Sequence, residues 1–104
     1  MAGRRERGEA KRKEIMADIR ILERTLKALA NRRRLAILSY LKAEREAPVG
    51  EIAGAIRLSF KSTSKHLAVL FAADLVDRDQ RELQMFYRLA TPLSPAARAV
   101  IALL

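Results

Sequence analysis

The chain has 104 residues, half of them hydrophobic, with 21 Lys and Arg against 12 Asp and Glu, for a formal net charge of +9. That length suits one domain with one core and is short for an enzyme with a deep pocket. The absence of cysteine excludes a disulfide framework, a thiolate metal site and a Cys nucleophile. The cationic excess suits a polyanionic partner, because released counterions supply much of nucleic-acid affinity.

Residues 1–12, MAGRRERGEAKR, are charged, hold two glycines and show no apolar period. They read as a mobile basic arm preceding a domain over 13–104, one that could touch phosphates or a minor groove. No apolar h-region follows this basic start, and no run approaches the roughly 20 residues that cross a bilayer. The expectation is a cytoplasmic protein with no membrane partner.

A helix is predicted over 13–30, where Ile15, Ile19, Leu22, Leu26 and Leu29 recur at steps of four and three on one face. Asn31 is a good N-cap for a second helix with Leu35, Ile37, Leu38 and Leu41 on its apolar side. Arg32, Arg33 and Arg34 open that helix, where its dipole disfavours cations; this favours an anionic neighbour, but a solvated surface is the expectation for at least two of them. Ala47-Pro48 breaks the chain. A two-turn helix follows over 50–56, with Ile52, Ala53 and Ile56 inward and Arg57-Leu58 as the turn.

Ser59 then caps a helix over 60–72 in which Thr63, Leu67 and Leu70 form the inward stripe. Its other side carries Lys61, Ser64, Lys65 and Ala68, a cationic, small, hydrogen-bonding surface of the kind that reads a DNA groove. Two strands are expected over 75–80 and 83–89, joined near Arg81-Glu82, with Met85 and Tyr87 on one face and Phe86 on the other. Ser94 as N-cap and Pro95 at the first helical position start a closing helix. This order predicts a mainly α winged helix-turn-helix with five to six helices and a two-stranded β-wing.

Three segments in order carry a family resemblance: LKALANRRRLAIL at 26–38, LSFKSTSKHLAVL at 58–70, and Leu75-Val76 with Phe86-Tyr87-Arg88-Leu89. Over about residues 22–89 the chain resembles the ArsR/SmtB family of dimeric bacterial and archaeal repressors. The resemblance implies that Phe60, Lys61, Ser64 and Lys65 read DNA, with Ser59 and Ser62 beside them. Wing residues Arg78 and Arg81 are expected at phosphate or the minor groove. Phe60 departs from the family, which often has a polar reader there. It either meets a thymine methyl or packs beside Ser59, and packing is the expectation. Arg57 and Asp74 stand where the family often has glycines suited to positive φ, and Phe71 stands where an exposed polar residue is expected.

Many members sense metals through Cys and His beside the short helix or on the terminal helices. Here neither place offers those ligands. The one histidine, His66, lies in the recognition helix, where packing explains it better than ligation. No metal and no cofactor are expected. Ser59, Ser62, Thr63 and Ser64 cluster near His66, but no second base, carboxylate pair or phosphate-cradling loop accompanies them, so an enzyme is not expected.

The reading is a homodimeric repressor on a pseudo-palindromic double-stranded DNA operator, with Ile15, Ile19, Leu22, Val100, Ile101 and Leu104 forming the dimer interface. The alternative is a winged helix that binds protein or RNA, for which Phe60 and Phe71 would be the argument. A sensor of an organic ligand is a further variant.

Overall fold

The structure, a computed structural model, describes residues 2–104. In chain order its elements are α1 (Ala2–Leu29), α2 (Arg32–Glu44), β1 (Glu46–Pro48), α3 (Val49–Ile56), α4 (Phe60–Ala72), β2 (Val76–Arg81), β3 (Gln84–Leu89) and α5 (Pro95–Ile101). Three side chains start helices as their chemistry requires. Asn31 accepts from the backbone N–H groups of Arg33 and Arg34, Ser59 from that of Ser62, and Ser94 from that of Ala97. Each satisfies donors that the first helical turn leaves without partners.

The helix start expected at residue 13 lies instead at Ala2, and no break occurs near residue 12. Met1, the first residue of the expected arm, lies outside the described residues. The segment is rich in Ala, Arg, Glu and Lys, all strong helix formers, and Arg5, Glu9 and Lys13 alternate in sign at four-residue spacing. Helix α1 is therefore about 42 Å long at 1.5 Å per residue, against a longest dimension of 62 Å for the molecule.

The sheet has three antiparallel strands in the order β1-β3-β2, not the two expected. Strand β1 pairs Glu46, Ala47 and Pro48 with Arg88, Tyr87 and Phe86. Its middle residue, Ala47, is buried, whereas its last is a proline, which an edge strand tolerates because no ladder N–H is required there. Three residues ending in proline show no alternation that a sequence reading could detect. Strands β2 and β3 pair from Val76 with Leu89 to Arg81 with Gln84, leaving Glu82-Leu83 as the loop. Glu82 takes φ 55°, a positive value of the kind tight hairpin loops demand despite the missing glycine.

The core gathers Ile37, Leu38 and Leu41 of α2, Ile52 of α3, Leu67 and Leu70 of α4, Leu75, Val76 and Tyr87 around the sheet, and Ala97 and Ile101 of α5. Each fully buried Leu, Ile or Val contributes roughly 1.5–3 kcal/mol. Tyr40 ties α2 to α3 by donating its hydroxyl to Glu51, and this hydrogen bond to a carboxylate pushes its pKa up to about 12.

Ile101 is a correction to the expected dimer surface. It is buried in its own subunit, and Val100 beside it is half-buried against the same core. A cation on α2 completes the docking: Lys42 Nζ donates to the carbonyl oxygens of Ile101 at 3.1 Å and Leu104 at 2.9 Å. The first-helix members behave differently. Ile15, Ile19 and Leu22 are 44–49% exposed, and so is Leu26 at 48%, while Thr25, Ala28 and Leu29 on the adjoining face are buried.

Candidate nucleic-acid interface

Helix α3, its turn and α4 form the helix-turn-helix. The turn rests on Arg57, which adopts φ 55°, ψ 50° and lets the Leu58 N–H reach the Ala53 carbonyl at 3.0 Å. Asp74 does the same after α4, with φ 59° and a Leu75 N–H to Leu70 carbonyl bond of 2.9 Å. Both places expected to need positive φ therefore have it. The left-handed conformation costs a residue with a Cβ about 1 kcal/mol, and the closed carbonyls offset part of that.

Along α4, Thr63, Leu67 and Leu70 are fully buried, which turns Lys61 and Lys65 outward into solvent, with Ser64 half-exposed between them. Ser62 is also half-buried, and Ser59 is exposed with its hydroxyl engaged in the cap. Phe60 does not pack as expected. It is 63% exposed at the first position of α4, at the mouth of a cleft of about 300 Å³ shared with Pro48, Leu83 and Met85.

Both wing cations make contacts within the subunit. Arg81 forms a two-point pair with Glu46, at 2.7 and 2.9 Å, touches Asp79 at 3.3 Å, and covers the Phe86 ring. The paired guanidinium holds the Glu46 carboxyl below its usual range. Arg78 lies 3.9 Å over the Phe71 ring, which is still 37% exposed.

The arginines at the start of α2 are resolved by Arg34, which spans to the end of α1. Its Nε donates to the Ala28 carbonyl and its guanidinium to the Lys27 carbonyl at 3.0 Å, placing the cation at the negative end of that helix dipole. Another nitrogen of the same guanidinium lies 3.4 Å from His66 Nδ1. Burial, then the charges of Arg34 and Arg33, lower the His66 pKa, so the ring is neutral and accepts through Nδ1. His66 is thus a contact between α2 and the recognition helix. Sequence reading missed this partnership because the two residues are 32 positions apart. Among the described residues, no group of three or more His, Asp or Glu side chains is placed to hold a metal ion.

Residues 31–78, from the cap of α2 into the first strand of the wing, match the model of the arsR family of bacterial regulatory proteins. The transcriptional activator HlyU of Vibrio cholerae is 40% identical over 79 residues, covering 76% of this chain and 69% of the relative. The chain belongs to the arsR family. Two solved structures place this family member's fold. Reduced HlyU from Vibrio cholerae superposes with a TM-score of 0.72 at 35% identity, over 88% of this chain and 92% of the other. The homodimeric winged helix-turn-helix DNA-binding domain of a possible ArsR-family transcriptional regulator from Mycobacterium bovis gives 0.73 at 33% identity, over 85% and 78%. The wing and helix-turn-helix are therefore those of a winged-helix transcriptional regulator. No described helix is long and apolar enough to cross a membrane.

Proposed function

We propose that the protein is a homodimeric regulator that represses transcription by occupying a pseudo-palindromic DNA operator. The observation that supports this reading is the outward face of α4, where the Ser59 cap and the buried Thr63, Leu67 and Leu70 turn Lys61, Ser64 and Lys65 to the outer side of the helix. Lysines there bond guanine or phosphate, and serine serves either purpose. Arg78, on the exposed side of the wing, is the wing cation best placed for phosphate, because Arg81 is committed to Glu46 and Asp79.

Dimerisation is supported by the exposed Ile15, Ile19, Leu22 and Leu26 stripe of α1 and by the homodimeric Mycobacterium bovis relative. A two-fold axis would set two recognition helices roughly 34–36 Å apart, one helical turn of DNA. One relative is named an activator. Both outcomes begin with the same event, occupancy of DNA, and the position of the site relative to the promoter decides the sign.

Selection of bound duplexes from a random DNA pool tests the proposal. Enrichment of a two-fold-related motif whose affinity falls with salt supports it. Equal binding to random duplex and to single-stranded RNA at both low and high salt overturns it.

A further inference from the structure

Phe60 has no part in the core and no hydrogen-bonding atom, yet it occupies the first position of the recognition helix at 63% exposure. N-terminal residues of a recognition helix are those that reach base edges. An aromatic ring there discriminates by apolar contact alone. In the major groove, the apolar group that distinguishes base pairs is the 5-methyl of thymine. The neighbouring Lys61, Ser64 and Lys65 read acceptors and donors but cannot register a methyl group. Phe71, the other partly exposed aromatic of the same helix, is capped by Arg78, whereas no cation lies over Phe60 among the described residues.

From this we infer that Phe60 is a specificity-determining residue that selects a thymine at one fixed position in each half-site by burying its methyl group. The inference rests on the DNA-binding reading above and adds to it the base that the aromatic side chain recognises.

The test uses the highest-affinity duplex from the random-pool selection, with each thymine replaced in turn by uracil, which deletes only the methyl group. Replacement at one symmetric pair of positions is expected to weaken binding by the parent protein. The loss is about fourfold per half-site, the value of one buried methyl group. Phe60→Ala, which removes an exposed side chain and should melt like the parent, is expected to bind thymine and uracil duplexes equally at that position. Phe60→Leu, still apolar, should keep part of the preference. If every uracil is tolerated by the parent, or the uracil penalty survives in Phe60→Ala, the inference is overturned while the DNA-binding reading stands. If no motif is enriched at all, both fall together.

Discussion

Glu46 and Arg81 form a two-point ion pair, at 2.7 and 2.9 Å, that joins the short edge strand β1 to the last residue of β2. The pair spends a wing cation on the protein itself. It also fixes the wing relative to the chain segment that leads into the helix-turn-helix, since Glu46 lies three residues before α3 begins.

Because Arg81 already pairs with Glu46 and Asp79, Arg81→Ala is expected to change DNA affinity less than loss of a free cation would. Glu46→Gln should strengthen binding and steepen the slope of log K against log salt by about one unit, because a released guanidinium can neutralise a phosphate. The check is a salt titration of both variants. An Arg81→Ala loss as large as that of Lys65→Ala would show that Arg81 exchanges its partners for DNA.

Lys61→Ala and Lys65→Ala are each expected to weaken DNA binding without unfolding the protein, since both side chains leave the helix on its solvent side. A phosphate contact would flatten the salt dependence by about one unit in slope, whereas a base contact would cost roughly 1–3 kcal/mol and relax sequence preference. Binding by both variants equal to the parent would remove α4 as the reading element.

Much of this site was legible because local chemistry controls it. Asn31, Ser59 and Ser94 are caps because short polar side chains reach the second or third N–H of a helix, and that requires only sequence neighbours. The buried period of Thr63, Leu67 and Leu70 then decides which side of α4 faces out. What escaped the sequence depends on distant partners. Strand β1 exists because Ala47 meets Tyr87, forty residues on, and Arg34 is placed by the end of α1 and by His66. Phe60 looked like a packing residue because apolar side chains usually are buried, but its ring is 63% exposed at the first position of α4. The start of α1 was missed because glycines and charge suggested a mobile arm, while helix propensity without any apolar face extends the helix there.

The His66 contact makes stability depend on pH. Its pKa is lowered from the ordinary 6.5 by burial and by Arg34 and Arg33. The unfolded chain therefore binds the proton first as pH falls. Stability is full above about pH 6.5 and declines as pH drops towards the folded-state value. Glu46 has a lowered carboxyl pKa, so its share is lost only in the more acidic range, as pH falls through its folded-state value. Thermal melts of the parent between pH 7.5 and 5.5 should fall, and His66→Gln should flatten that fall. A parallel decline in the variant would assign the effect to other groups.

The two ends of the chain carry isoleucines with opposite duties, and one substitution should tell them apart. Ile19 is 49% exposed on the α1 stripe, whereas Ile101 is 5% exposed and packs in its own subunit's core. Aspartate at position 19 puts a charge on a surface that only a partner would cover. Burying such a stripe against a two-fold mate gains roughly 25 cal/mol per Å² of apolar surface, and a self-complementary patch is the usual form of a dimer interface. Ile19→Asp is therefore expected to give a folded monomer with much weaker operator binding, since one half-site alone offers too few contacts. Ile101→Asp places an unpaired charge in the core and should instead unfold the subunit or lower its melting temperature sharply. Light scattering at tens of micromolar, read beside a thermal melt, separates the outcomes. A parent protein that is monomeric at that concentration, or an Ile19→Asp variant that remains dimeric, would overturn the assignment of the α1 stripe to a two-fold interface.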